Sequence, residues 1–256
     1  MKFLIPDKLA AFFESVGALG RFSAKFFSEV FKPPFEAGEL ARQCYRLGYQ
    51  SLGLIGISGF IIGFVLTVQA KPTMAEFGAT SMIPAMVSLS IIREIGPVLT
   101  GLICSGKIGS GIGAELGSMK VTEQLDAMSV SGAKAYNYTV VTRVLATTTM
   151  IPLLVFYTDF VALMGSYVGM NIGDTISLRL FFVQALEAIM FVDIISATTK
   201  SFFFGFAIGI VGCYKGYHAE KGTLGVGKAA HSAVVVSSLL IFVLDMIAVQ
   251  ITQLFF

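Results

Sequence analysis

Long apolar segments alternate with shorter polar ones along most of the chain. The segment 47–70 holds 24 residues without a charge, which is long enough to cross a bilayer with some tilt. Four later apolar segments of similar length each carry one or more ionisable residues. The pattern predicts five membrane-spanning helices, at about 47–70, 83–105, 144–170, 184–213 and 232–256.

The first 46 residues follow a different pattern, in which seven Lys or Arg and five Asp or Glu are interleaved with Phe and Leu. They contain no unbroken apolar run of the kind found in a signal peptide. Their apolar residues recur at helical spacing, which predicts an amphipathic helix in the membrane interface. A helix packed on the protein's own membrane domain fits the same pattern. The positions are Leu9, Phe12, Phe13, Val16, Leu19, Phe22, Phe26, Phe27 and Val30, before Pro33 and Pro34.

Composition supports a polytopic membrane protein, because 55% of the 256 residues are hydrophobic and only 13% are charged. Soluble proteins carry about 25% charged residues. We expect an all-α membrane protein with an N-terminal interfacial segment, 1–46, and one membrane domain, 47–256. Basic residues concentrate in 1–46, 107–143 and 215–228. By the positive-inside rule, the N-terminus is expected in the cytoplasm and the C-terminus outside.

Several functional classes have little support in the sequence. A net charge of +2 does not suggest nucleic-acid binding. The cysteines are isolated and no HExxH occurs, so we expect no metal site. The segment 101–108 fits GxxxxGK but has Ile108 where a nucleotide-binding P-loop needs a hydroxyl for Mg²⁺. We therefore expect no catalytic residue and no cofactor, and we do not expect an enzyme.

Arg93 and Glu94 fall near the middle of the second predicted span, where an isolated charge costs at least about 2.5–3.5 kcal/mol. Adjacent helical residues point about 100° apart, so the two are poorly placed to pair with each other. At least one should reach another helix, a second protomer or a bound headgroup. The pair is either a polar element of a substrate cavity or part of a structural salt bridge. Pro97 should kink the helix beside it.

Other ionisable residues lie in the later spans: Asp159 in the third, Asp193 and Lys200 in the fourth, and Asp245 in the fifth. Asp193 and Lys200 share a helix face but are too far apart to pair directly. The three aspartates would either anchor neighbouring helices or form an ion relay. Glycines at small-xxx-small spacing indicate close helix packing, within one protomer or at a dimer contact.

The segment between spans two and three, at about 114–128, has an amphipathic helical pattern. Such a helix is either a surface connector or a plug for the groove of a soluble partner. The segment is also part of a resemblance to a known family. IIREIGPV at Ile91–Val98, GKIGSG at Gly106–Gly111, AELGSM at Ala114–Met119 and TEQLDAM at Thr122–Met128 resemble the MlaE-type permeases. These are the membrane subunits of bacterial lipid ABC transporters that work with MCE proteins.

The resemblance implies an interfacial helix followed by five transmembrane helices, in a homodimer in the bacterial inner membrane. It implies a separate cytoplasmic ATPase, an MCE-domain periplasmic subunit, phospholipid cargo and, in some systems, a small cytoplasmic accessory subunit. The ATPase would dock on the segment between spans two and three. The implied coupling residues are Glu115, Met119, Glu123, Gln124, Leu125 and Met128.

The resemblance also implies a lipid pocket built from the end of helix one, the segment after it, and helix two. Phe77 stands where relatives can have Tyr. Arg93 would answer a phosphate as a bidentate donor. The implied lipid-binding residues are Leu66, Gln69, Thr73, Met74, Phe77, Arg93 and Glu94. Two other functions compete with this one: an ion-coupled secondary transporter that uses Asp159, Asp193 and Asp245, and a membrane scaffold.

Overall fold

A computed structural model describes residues 7–33, 35–173 and 175–255, and the regular structure in these ranges is helical. Pro34 and the last residue of the fifth predicted span lie outside the described residues. The side chains of Leu9 and Phe12, from the predicted amphipathic pattern, lie outside them too. The α-helices are α1 Asp7–Glu29, α2 Ala37–Glu76, α3 Ile83–Ser90, α4 Gly96–Cys104, α5 Ser110–Val121, α6 Gln124–Val130, α7 Thr142–Met170, α8 Leu178–Glu187, α9 Phe191–Tyr217 and α10 Thr223–Phe255.

Within the described residues, five helical stretches are long and apolar enough to cross a membrane, which confirms the predicted number of spans. The second runs from Thr80 to Val121 and joins α3, α4 and α5 through two π-helical turns. The third joins a π-helical turn to α7. The first three stretches extend beyond the predicted bounds at one or both ends, because helical structure continues into polar residues that lower the local hydropathy. The five stretches are 37–76, 80–121, 137–170, 191–217 and 223–254.

The fourth span starts later than the predicted 184–213, because the chain breaks between α8 and α9. Asp193 is the reason for the new helix start. Its Oδ2 accepts a hydrogen bond from the backbone N–H of Met190 at 2.9 Å and so caps the first turn of α9. Glu187 is the last residue of α8 and is exposed.

Glycines bring α2, α7 and α9 into close contact. A Cβ added at Gly63 would lie 1.8 Å from the carbonyl oxygen of Ala162, and one at Gly165 would lie 2.1 Å from that of Phe60. On α9, a Cβ at Gly205 would lie 2.6 Å from the carbonyl oxygen of Thr147. These glycines therefore pack helices within one protomer, which was one of the two predicted roles.

Prolines are accommodated inside the helices. Pro72 does not end α2, which continues to Glu76, and Pro152 lies within α7. At Pro97 the helix has a π-helical turn over Ile91–Ile95, in which the N–H of Gly96 bonds the carbonyl of Ile91. The wide turn adjusts the backbone just before a proline that cannot donate.

Helix α1 packs one face on the membrane domain. Phe22 and Phe26 are buried in the main core, and the Tyr136 hydroxyl donates to the carbonyl of Phe22 at 3.0 Å. Phe13 and Val16, on another part of the helix, are exposed. Packing on the protein's own domain is thus observed, whereas contact of α1 with a membrane interface stays a prediction.

The predicted helix over about 114–128 is two helices in the structure. Helix α5 ends at Val121 and α6 begins at Gln124. Between them Glu123 adopts a left-handed backbone with φ of 58°, which interrupts the helical hydrogen bonds. The turn allows α6 to bury Leu125, which is 1% exposed.

Candidate functional site

Two sets of ion pairs join the second span to the fourth and fifth. Arg93 Nε donates to Asp193 Oδ1 at 2.7 Å. Lys200 Nζ contacts Glu94 Oε2 at 3.1 Å and Asp245 Oδ1 at 2.9 Å. The prediction that Arg93 or Glu94 reaches another helix is confirmed, and both do so within one protomer. Asp193 and Asp245 anchor neighbouring helices, which was one of their two predicted roles.

Exposure divides these five residues into a fixed part and an accessible part. The side chains of Lys200 and Asp193 are 3% and 6% exposed, and that of Asp245 is 17% exposed. Arg93 and Glu94 are 46% and 44% exposed although both are paired. The buried partners therefore hold the two half-exposed side chains in place. Arg93 uses Nε for Asp193 and still carries the remaining N–H donors of a five-donor guanidinium.

A cavity of about 510 Å³ opens beside these charges, between the second span and helices α9 and α10. Beside it, between α9 and α10, runs a mostly apolar groove of about 300 Å³. The two spaces share Val192, Ser196, Lys200 and Thr252. Together they offer a charged compartment joined to an apolar one, which suits an amphipathic molecule. Besides the shared residues, the cavity is lined by Arg93, Glu94, Met190, Asp193, Val249 and Gln253, and the groove by Ile195, Thr199, Phe203, Ala248 and Ile251.

Sequence reasoning missed the cavity residues of α9 and α10 that carry hydroxyls. Ser196 and Thr252 bond each other at 2.9 Å across the two helices. The signal on α9 was present, because Asp193, Ser196 and Lys200 are spaced three and four apart and so lie on one helix face. No comparable pattern marked Thr252, whose position depends on how α10 packs against α9.

The structure does not bring all seven implied lipid-binding residues into this cavity. Arg93 and Glu94 line it, whereas the other five do not. Leu66 and Met74 are half-buried against the core cluster that contains Ile83 and Ile91. The remaining three, Gln69, Thr73 and Phe77, are exposed at the end of α2 and just after it. Their contact with lipid stays a prediction.

Asp159 stands apart from the charged cavity. It is 7% exposed and its Oδ1 has no hydrogen-bond partner among the described residues. It fills the notch left by Gly96, where an added Cβ would lie 1.8 Å from Oδ1. The other two aspartates, Asp193 and Asp245, are engaged in ion pairs, and an ion relay through the three stays an alternative prediction.

The implied coupling residues separate into buried and exposed ones. Glu115 pairs with Arg46 at 3.1 Å and with Arg143 at 2.9 Å. Glu123 and Gln124 are exposed at the turn between α5 and α6. The other three are inside or partly inside the protein, since Leu125 is buried and Met119 and Met128 are half-buried. Of the six implied coupling residues, Glu123 and Gln124 are thus the two that are exposed to a soluble partner.

Comparison with known proteins adds an independent observation. The model of a family described as Permease MlaE matches residues 40–251. A probable ABC transporter permease protein of Rickettsia typhi is 41% identical over 99% of this chain and 96% of its own length. The intermembrane phospholipid transport system permease protein MlaE of Haemophilus influenzae is 32% identical over 83% of this chain and 82% of its own. The Arabidopsis thaliana protein TRIGALACTOSYLDIACYLGLYCEROL 1, chloroplastic, is 32% identical over 80% of this chain and 59% of its own.

Proposed function

We propose, on the premise that this chain belongs to the MlaE permease family, that it moves phospholipids or related lipids between the inner membrane and the outer envelope. It is an ABC transporter permease with several membrane-spanning helices. A separate ATPase would supply the energy. The relative from Haemophilus influenzae carries phospholipid transport in its name, and that activity is extended here to this chain.

The half-exposed Arg93 is the observation that carries the proposal. It lines the charged cavity next to the apolar groove, and its Nε is held by Asp193 Oδ1 at 2.7 Å. A guanidinium is a planar donor that suits a phosphate. A phospholipid would place its phosphate at Arg93 and an acyl chain along Ile195, Phe203 and Ile251 of the groove.

Family membership supports a proposal for the surrounding assembly. We propose a homodimer in the inner membrane with the N-terminus in the cytoplasm and the C-terminus in the periplasm. The ATPase would dock on the exposed turn at Glu123 and Gln124. An MCE-domain subunit would stand on the periplasmic side, and a small cytoplasmic subunit could join the ATPase. On this proposal the chain itself catalyses no reaction.

Purification from native membranes in mild detergent tests the proposal. Mass spectrometry is expected to find an ATPase, an MCE-type protein and stoichiometric phospholipid with the wild-type chain. The Arg93→Gln variant should keep the protein partners and lose most of the phospholipid. A chain that comes alone, with phospholipid at background level, would reject the proposal and favour the secondary-transporter alternative, for which ion-dependent flux in liposomes is the next test.

A further inference from the structure

A second, smaller cavity lies between the N-terminal part of α2 and the second span. It has a volume of about 80 Å³. Lys107, in its wall, follows Arg93 by 14 positions, or roughly 20 Å at 1.5 Å per helical residue. No residue lines both this cavity and the one at Arg93. Its lining includes Arg46, Gln50, Ser51, Lys107, Gly111 and Glu115.

Positive charge exceeds negative charge at this cavity. Glu115 is shared by Arg46, at 3.1 Å, and by the buried Arg143, at 2.9 Å. Lys107 has no carboxylate at ion-pair distance among the described residues, and its Nζ donates to the carbonyl oxygen of Gln50. A carbonyl accepts a hydrogen bond but cancels no charge. The lining carries two cations, Arg46 and Lys107, and one carboxylate, Glu115, which the buried Arg143 shares from outside the lining, so positive charge is in excess.

Ser51 shows that a hydrogen-bond acceptor is missing. Its side chain lines the cavity, the residue is 1% exposed, and its Oγ has no partner among the described residues. A helical serine usually bonds the carbonyl four residues back, as Ser23 and Ser237 do in this protein. A buried hydroxyl without a partner is unfavourable, and an oxygen-rich anion would satisfy it.

There is room beside Lys107 for such a group. A Cβ added at Gly106 or at Gly111 would meet no atom within 4 Å. Both glycines therefore leave open space on either side of the lysine. Arg46 is 48% exposed, so the cavity is accessible from the surface of the helix bundle. The GxxxxGK segment, which does not form a P-loop, thus supplies Lys107 and the open position at Gly106, and Gly111 follows it four residues after the lysine.

We propose that this cavity binds the phosphate group of an anionic phospholipid from the leaflet at this end of the bundle. Arginine and lysine at a membrane surface attract anionic headgroups, and basic pockets between spanning helices hold them. The inference rests on the proposed function only in taking this end to be cytoplasmic. The bound phosphate would neutralise the excess positive charge and accept a hydrogen bond from the Ser51 hydroxyl. It would also link α2 to the part of the second span that leads to the Glu123 turn.

Native mass spectrometry of the detergent-purified chain tests the site. The Arg93→Gln variant serves as the background, so that lipid at the first cavity does not contribute. Dioleoylphosphatidylglycerol is expected to bind more tightly than dioleoylphosphatidylcholine. Lys107→Gln should weaken phosphatidylglycerol binding about fivefold, which is the effect of one lost cation near a membrane surface. Ser51→Ala should weaken it about two- to fivefold.

Two controls keep the result interpretable. Lys107→Arg should retain binding, and Lys228→Gln, at an exposed lysine paired with Glu220, should change nothing. Equal phosphatidylglycerol binding by the background and by Lys107→Gln would overturn the proposal. Displacement of the lipid by millimolar inorganic phosphate would assign the cavity to free phosphate and overturn the lipid source. If Lys107→Gln does not weaken phosphatidylglycerol binding while Arg93→Gln still slows lipid transport, this inference fails and the proposed function stands.

Discussion

Arg93 and Asp193 meet through a hydrogen bond of 2.7 Å although 100 positions separate them in the chain. The bond joins the π-helical turn of the second span to the first turn of α9. Asp193 also caps α9 by accepting from the N–H of Met190. One buried carboxylate therefore fixes a helix start and a half-exposed guanidinium at the same time, and it sets the direction in which Arg93 faces the cavity.

Loss of the Arg93 guanidinium should impair lipid transport. Arg93→Gln removes a charged donor worth about 1.5–3 kcal/mol, so a reconstituted transporter should move fluorescent phospholipid at least about tenfold more slowly. Arg93→Lys should transport at a rate between those of wild type and Arg93→Gln, since an ammonium keeps the charge but lacks the planar set of donors of a guanidinium. Lys228→Gln is the matched surface control. Wild-type transport by Arg93→Gln, with assembly intact, would exclude a role in the cavity.

Removal of Lys200 should destabilise the membrane domain. The side chain is 3% exposed and pairs with Glu94 and Asp245, so Lys200→Met leaves two carboxylates without their cation. Breaking a fully buried pair costs about 3–5 kcal/mol, and the loss here should be smaller because water still reaches Glu94. Thermal unfolding in detergent should show a clearly lower midpoint. Asp245→Asn should have a smaller effect because Glu94 continues to pair with Lys200, and equal midpoints for wild type and Lys200→Met would contradict this account.

Close packing of α2 on α7 should make Gly63 sensitive to a single methyl group. Gly63→Ala would place Cβ 1.8 Å from the carbonyl oxygen of Ala162, and overpacking of this kind costs about 1–3 kcal/mol. Gly53→Ala, on the same helix, meets nothing within 4 Å and serves as the control. It should be neutral or slightly stabilising, because alanine favours a helix more than glycine does. Comparable unfolding midpoints for the two variants would refute the packing argument.

Substitutions at Glu123 should weaken docking of the ATPase without lowering the stability of the fold. Glu123→Lys reverses an exposed charge, so it should weaken binding of the ATPase and leave the unfolding midpoint unchanged. Glu123→Gly should also weaken binding, but without loss of stability, because glycine suits the positive φ of 58°. Pull-down of the ATPase and thermal unfolding measure the two effects.

Leu125→Asp should behave in the opposite way to the Glu123 variants. It would bury a charge at a site that is 1% exposed, and the whole domain should lose stability. ATPase binding that is normal in Glu123→Lys would show that the exposed turn is not the docking surface. A stable Leu125→Asp protein would show that α6 is not packed as described.

The sequence determined the class of the protein and the position of its charges in the membrane. Hydropathy gave five spans because a spanning helix needs a long apolar run, and the run is visible without knowing its neighbours. The expectation that Arg93 and Glu94 would pair with other helices also followed from local geometry alone. The break before α9 and the turn at Glu123 did not follow, because a side-chain cap and a left-handed residue leave no mark on hydropathy.

Tertiary structure alone decided which partner each charge has and where the cavities lie. Lys200 pairs with Glu94 and Asp245, which lie on two other helices. The sequence could not make that choice, because pair formation depends on how far each helix is shifted along its neighbour. Glycine contacts between distant residues contribute to that shift, such as Gly212 on α9, where an added Cβ would lie 3.1 Å from the carbonyl oxygen of Gly109 in the second span. Composition and periodicity report on single helices, whereas a cavity is a property of the space between them.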